Sequence, residues 1–143
     1  MSLLHKSKRT RGQGLVEFAV ILPVLLFLVI GTLDLGFVFL VKVALENSAR
    51  EGAYFLVYNN TVNSRDDDFA EVKSRVGWEA ENSGITIAAE DIDVECMVGG
   101  SVNNSCPSGS TVIVTIQQEL ALAVDIFLDG PLQLTNQARM LIP

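Results

Sequence analysis

The stretch RGQGLVEFAVILPVLLFLVIGTLDLG, residues 11–36, begins with a charge and continues into an apolar run long enough to cross a membrane. From Phe18 to Val41 the side chains are apolar or small, with Thr32 and Asp34 as the exceptions. As an α-helix this run extends about 36 Å, whereas the hydrocarbon core of a bilayer is about 30 Å thick. The run therefore predicts one membrane-spanning helix.

Charge on either side of the run predicts its orientation. Residues 1–12 contain four basic side chains and no acid, whereas the remainder holds all 17 acids against 6 bases, a net −11. A basic flank stays in the cytoplasm, so the acidic body is expected outside, and its charge excludes nucleic acid as a partner. A secretory signal peptide is the rival interpretation, but its apolar region is shorter and ends in a small-residue cleavage site, whereas Lys42 follows this run.

The helix is predicted to continue beyond the membrane through KVALENSAREGAYFLVY, residues 42–58. Glu46 and Arg50 have the spacing of a favourable pair on one helical face. Apolar or small residues recur on another face, at Val41, Leu45, Ser48, Gly52 and Phe55. One helix from near Gly14 to near Tyr58 is expected, apolar all round in its first half and amphipathic in its second.

A loop and a second, shorter helix are predicted next. NNTVNSRDDD, residues 59–68, breaks the periodicity, and its three aspartates are interpreted as a solvated cap because they lack the ligand spacing of a calcium loop. Asp68 and Glu71 resemble a capping box, and Gly84 is a plausible helix end. One face of this helix comprises Phe69, Val72, Val76 and Ala80.

From Ile85 onward the apolar period changes to two, which predicts an antiparallel sheet with one buried face. The inward positions are Ile92, Val94, Cys96 and Val98, then Val112, Val114 and Ile116, then Leu132, Leu134, Ala138 and Met140, with Asn136 out of pattern. The amphipathic half of the long helix is the natural cover for that face. The predicted fold class is α+β: a long N-terminal helix packed on a small antiparallel sheet of three to four strands, with a short second helix.

The two cysteines, Cys96 and Cys106, flank the turn-forming insert VGGSVNNS. In an oxidising compartment the pair can close a hairpin as a disulfide, and two unrelated small apolar residues are the alternative. No metal site or cofactor is predicted, because the only histidine, His5, lies in the basic head. An enzyme is the least favoured class, since no nucleophile has a base nearby in sequence and no catalytic residue can be assigned.

Gly12 is followed by four residues, then by Glu17, and then by the uninterrupted apolar helix from Phe18. This order resembles the processing signature of type IV pilins and their relatives. Within that class the chain is similar to the TadE-like proteins of tight-adherence (Tad) pilus systems. The stretches that carry the resemblance are RGQGLVEFAVILPVLLFLVIG (11–31), NSAREGAYFLV (47–57), STVIVTI (110–116) and GPLQLTNQARMLIP (130–143).

The resemblance implies a division into three parts. A prepilin peptidase would cut between Gly12 and Gln13 and remove residues 1–12 as a basic leader. Residues 13–42 would form the membrane and filament-core helix, and residues 43–143 an extracytoplasmic pilin-like domain. The new ammonium of Gln13, or that of a neighbouring subunit, would pair with the carboxylate of Glu17 and set the register of assembly.

Three polar or helix-disturbing positions keep alternative interpretations. Glu17 either pairs with the new ammonium group, as described above, or is solvated at the membrane interface. Pro23 is either a point of local helix loss inside a filament, as in pilins, or a kink tolerated in a membrane helix. Asp34 either snorkels at the outer membrane edge or pairs with Lys42 of a neighbouring subunit.

The expected function is that of a pilin-like structural subunit. It would be held in the cytoplasmic membrane as a single-pass protein, then joined to other pilin subunits by the pilus assembly platform, into or at the tip of a surface adhesion filament. A minor role is favoured, because the major pilins of such systems are very short and lack a sheet domain. The alternatives are the main filament-forming subunit and an unprocessed single-span anchor with an extracytoplasmic binding domain.

Overall fold

The computed structural model describes residues 12–59, 69–103, 105–123 and 130–143 of the chain. Its fold is α+β, as predicted: two helices and a four-stranded antiparallel sheet. The elements are α1 (Gln13–Tyr58), α2 (Ala70–Asn82), a 3₁₀ turn (Ala89–Asp91), β1 (Ile92–Val98), β2 (Ser101–Asn103), β3 (Thr111–Leu120) and β4 (Leu132–Leu141). The head domain, as the term is used below, comprises the second half of α1 from Val41 and all the elements after it.

Helix α1 has two halves with opposite environments, and its observed extent agrees with the predicted range from near Gly14 to near Tyr58. Burial begins at Val41, and the buried side chains from there onward lie on one face that packs on α2, β3 and β4. Glu46 and Arg50 form the predicted ion pair on the exposed face, with 2.6 Å between Oε1 and an Nη nitrogen. The buried residues of α1 are Val41, Ala44, Leu45, Ser48, Ala49, Gly52, Ala53 and Leu56.

The sheet has the strand order β2-β1-β3-β4, and its inward face forms one core with the two helices. Adjacent strands are in register so that Val94, Val114 and Ala138 lie side by side, and all three are buried. Asn136 lies on the same inward face, between Leu134 and Ala138, so the alternation of β4 continues through it. This polar residue is 7% exposed, and its Nδ2 donates a hydrogen bond of 2.7 Å to the backbone oxygen of Lys42.

Three details of the sheet differ from the sequence prediction. Strand β2 lies within the segment predicted as a turn, because Gly99 and Gly100 both have positive φ and form a two-residue hairpin connection. Val98, predicted inward, is 39% exposed at that hairpin, where the strand ends beyond the core. Ile113, predicted on the solvent side, is 4% exposed because it lies between two long side chains, those of Glu95 and Arg139.

Helix α2 packs on α1 through the predicted face, since Phe69, Val72, Val76 and Ala80 are all buried. The end at Gly84 is confirmed: the N–H of Ile85 bonds to the oxygen of Ala80, and that of Gly84, at φ +79°, to the oxygen of Glu81. The start differs from the predicted capping box. Asp68 lies outside the described residues, the N-cap position is Phe69, and no side chain caps the helix.

Candidate functional site

The candidate site is the amino-terminal end of α1, where the helix begins at Gln13 after Gly12. The backbone of Gly12 is right-handed, at φ −98° and ψ −19°, which any residue adopts. A Cβ atom placed on Gly12 would have nothing within 4 Å. Neither the backbone conformation nor packing against the described residues therefore requires a glycine at this position.

Glu17 lies one helical turn from Gln13 and is exposed. The side-chain Nε2 of Gln13 donates a hydrogen bond of 3.2 Å to Oε1 of Glu17. Residues four apart on a helix have their Cβ atoms about 5–6 Å from each other, so a cationic group on residue 13 would be within reach of this carboxylate. Phe18 follows with 59% of its surface exposed. The structure thus places Gln13 and Glu17 together, and pairing between subunits stays a prediction.

The apolar half of α1 has no cover within the described part of the chain. Its large side chains from Leu15 to Leu40 are mostly exposed, and very little of its surface is buried within the described residues. Among the described residues this is one helix long and apolar enough to cross a membrane. A helix that is apolar all round needs either lipid or other apolar helices around it.

Polar and helix-disturbing groups in this half are accommodated without ending the helix. The helix is continuous through Pro23, whose missing N–H leaves the backbone oxygen of Ala19 without its usual donor. Thr32 donates its hydroxyl to the backbone oxygen of Leu28 at 2.8 Å. Asp34 is half-buried. Loss of helix at Pro23 within a filament, and a pair between Asp34 and Lys42 of a neighbour, both remain predictions.

Lys42 marks the point where the sheet attaches to the helix. The bond from Asn136 reaches its backbone oxygen from a residue 94 positions away and fixes β4 to α1 one residue after the apolar run ends. Sequence reasoning set Asn136 aside as out of pattern. Its even spacing from Leu134 and Ala138 was the signal that it faces inward.

At the far end of the sheet, Cys96 and Cys106 form a disulfide, with their Cα atoms 5.3 Å apart. Both residues are buried. The bridge ties β1 to the segment between β2 and β3, and so closes the hairpin that the sequence predicted. Among the described residues, no three His, Cys, Asp or Glu side chains are grouped as they would be around a metal ion.

The fold is that of a small α+β domain with one long helix whose first half is apolar and exposed. Proteins of this class insert the projecting helix into lipid or among other apolar helices. Within that class, the family model described as TadE-like protein matches residues 12–53. The match runs from Gly12 through the apolar half and into the buried half of α1, and it confirms the predicted resemblance over that segment. No curated protein and no solved structure matches the chain.

The TadE-like family, which residues 12–53 resemble, is a structural family associated with Tad pili, and the match suggests a protein associated with such a pilus. It also implies interactions with other pilus proteins and a membrane or surface location. The resemblance of residues 110–116 and 130–143, which form parts of β3 and β4, lies beyond the matched segment and stays a prediction.

Proposed function

We propose that the protein is a pilin-like, minor structural subunit of a Tad pilus. In this proposal residues 1–12 are a leader removed by a prepilin peptidase, residues 13–42 form the membrane and filament-core helix, and residues 43–143 form the extracytoplasmic α+β pilin-like domain. The processed subunit waits in the cytoplasmic membrane. The pilus assembly platform then transfers it to a surface adhesion filament, into the shaft or at the tip.

The observation that carries this proposal is an apolar helix whose large side chains are exposed and whose first turns contain one charged side chain, Glu17. This helix lies in the segment that matches the TadE-like family. Burying a carboxylate in an apolar surrounding is costly unless a cation pairs with it. Cleavage after Gly12 would create that cation on residue 13, one helical turn away. A subunit out of step would leave both charges unpaired, so the pair selects one register.

Two further features support an extracytoplasmic head. The disulfide belongs to an oxidising compartment, since cytosolic thiols are kept reduced. Residues 43–143 contain fifteen acids and five bases, a net −10, whereas residues 1–12 contain four bases and no acid. That asymmetry fits an N-terminus that stays in the cytoplasm.

The test uses two substitutions of Glu17 in cells that make surface filaments. Glu17→Gln keeps the size and polarity but removes the charge, so membrane insertion and cleavage should persist while incorporation into filaments falls. Glu17→Leu should insert at least as well and also assemble poorly, because hydrophobicity is not the required property. The measurement is the amount of each variant in sheared filaments relative to the amount left in the membrane.

Glu46→Gln is the matched control, since it neutralises another glutamate of α1 whose partner, Arg50, is in the same subunit. This variant should enter filaments as the parent does. If Glu17→Leu also enters as efficiently as the parent, the register role is wrong and Glu17 is only a polar residue at the membrane edge.

A further inference from the structure

A groove of about 580 Å³ lies where the apolar half of α1 meets the head domain. Phe37 and Leu40 of the apolar run line its lower part, and the turn after α2, residues 83–86, and Leu120 at the end of β3 line the head side. The groove is therefore continuous with the exposed apolar surface of α1. We call this junction surface the base of the head.

The described residues of the base carry no charge. None of the thirteen residues that line the groove is Asp, Glu, Lys or Arg, although residues 43–143 carry a net −10. Three other grooves on the described surface each include charged side chains, such as Lys73 and Glu90 beside α2 or Glu119 near the end of β3. The polar residues of the base, among them Ser83, Thr86 and Gln118, are neutral.

The height of the base follows from the length of the helix. A hydrocarbon core of about 30 Å takes up about 20 helical residues, which from Phe18 ends near Phe37. The head-group layer adds roughly 5–7 Å on each side, enough for the next four or five residues, up to Lys42. Ser83, Thr86 and Leu120 line the same groove as Phe37 and Leu40, so they lie at the level of the head groups.

We propose that the base of the head is a lipid-docking surface that rests on the outer leaflet before the subunit is assembled. Its apolar residues meet the upper acyl chains, and its hydroxyl and amide groups donate hydrogen bonds to ester and phosphate oxygens. The absence of charge matters because a charged group transferred to a region of low dielectric constant loses hydration. The inference rests on the proposed function, since it requires the first half of α1 to span a bilayer.

The test places single labels on the full chain in nanodiscs of phosphatidylcholine and phosphatidylglycerol, at one copy per disc. A fluorophore on Thr86→Cys reports on the base, and one on Ser101→Cys reports on the far end of the sheet, about 30 Å higher, since β3 has nine residue steps from Leu120 to Thr111. Both positions are exposed, and the native cysteines are bridged, so the introduced thiol is the one that reacts. The probe is a lipid with a nitroxide near the ester end of its acyl chain.

The label at position 86 should be quenched several-fold more strongly than the label at position 101. Equal, weak quenching at both positions would overturn the proposal. A position-86 label that escapes the lipid nitroxide, but is quenched by a nitroxide on a second copy when discs hold two copies, would also overturn it, because the base would then be a subunit interface.

A third label, on Val24→Cys within the apolar half, separates failure of this inference from failure of the proposed function. Val24 is exposed in the isolated chain, and in a bilayer a label there should be quenched by a nitroxide deep in the acyl chains. Quenching at position 24 without quenching at position 86 would refute the lipid-docking proposal and leave the proposed membrane span in place. Absence of quenching at position 24 removes the membrane span, and the docking surface with it.

Discussion

The two halves of α1 form one continuous helix, yet the second half is packed in the core of the head and the first half is exposed. In the second half Gly52 is fixed by packing, because a Cβ atom there would overlap with Cγ2 of Val76. Gly12, the residue just before the first half, has an ordinary backbone conformation, and a Cβ atom there would have no described atom within 4 Å. Packing among the described residues explains the glycine at position 52, whereas the same residues give no packing reason for the glycine at position 12.

The same contrast holds for charges. Glu51 in the second half is held by Arg75 of α2, with 3.0 Å between Oε1 and an Nη nitrogen. Among the described residues, Glu17 in the first half has the side-chain amide of Gln13, from its own helix, as its hydrogen-bond donor. Substitutions in the second half are therefore expected to change the stability of the head. Substitutions in and just before the first half are expected to change cleavage of the leader and assembly into filaments.

The largest expected effect on stability comes from the disulfide. Replacing both Cys96 and Cys106 by Ser should lower the free energy of unfolding of the head by about 3 kcal/mol, because the bridge no longer restricts the unfolded chain. Denaturant unfolding of the full chain in detergent, followed by the fluorescence of Trp78 in α2, measures the loss. An unchanged unfolding midpoint would mean that the bridge does not stabilise the head.

The next effect sharpens the comparison at Gly52. Gly52→Ala should cost about 1–3 kcal/mol, since overpacking forces neighbouring side chains from their preferred positions. The double variant Gly52→Ala, Val76→Ala should recover part of that loss, because the side chain that the new methyl meets has been shortened. Gly77→Ala in α2, where a Cβ has open space, is the matched control and should be neutral or slightly stabilising. Equal losses for the two glycines would refute the packing explanation.

A smaller effect is expected at the attachment of the sheet. Asn136→Leu keeps the number and branching of the side-chain heavy atoms but removes the hydrogen bond to the backbone oxygen of Lys42, so the head should lose about 1 kcal/mol. Thr135→Val, at the neighbouring exposed position of β4, is the control and should be close to neutral. If Asn136→Leu stabilises the head, apolar burial outweighs the hydrogen bond at this site.

The smallest effects are expected in the first half. Gly12→Ala and Glu17→Gln should each change the free energy of unfolding of the head by less than about 0.5 kcal/mol, because neither position contacts the head. The same unfolding measurement applies to both. A loss comparable to that of Gly52→Ala would break the comparison, because it would show that the head depends on residues of the exposed half.

Much of this contrast was predictable from the sequence, because periodicity reports burial. The change from an all-apolar run to an amphipathic one located both halves of α1, and the period of two located β1, β3 and β4. What periodicity cannot report is which residues meet in space. Gly52 was assigned to the inward face, but its need to be glycine comes from Val76 on another helix.

Short and local features also escaped prediction. Strand β2 has three exposed residues, so it has no apolar pattern to detect. Ile113 is buried by its neighbours across the sheet, which requires the strand register. The first half of α1 is the reverse case. Its resemblance to the TadE-like family was detected from the sequence, while the isolated fold supplies no structural reason for Gly12.

The most direct test of the central claim is to identify, by mass spectrometry, the first residue of the protein recovered from the cell surface. The account holds that Gly12 and Glu17 are selected by processing and assembly, so the surface-derived chain should begin at Gln13 and lack MSLLHKSKRTRG. Gly12→Leu should leave the full-length chain in the membrane while the head retains its disulfide and its unfolding midpoint. A surface-derived chain that begins at Met1 or Ser2 would contradict the account and favour an unprocessed, single-span anchor.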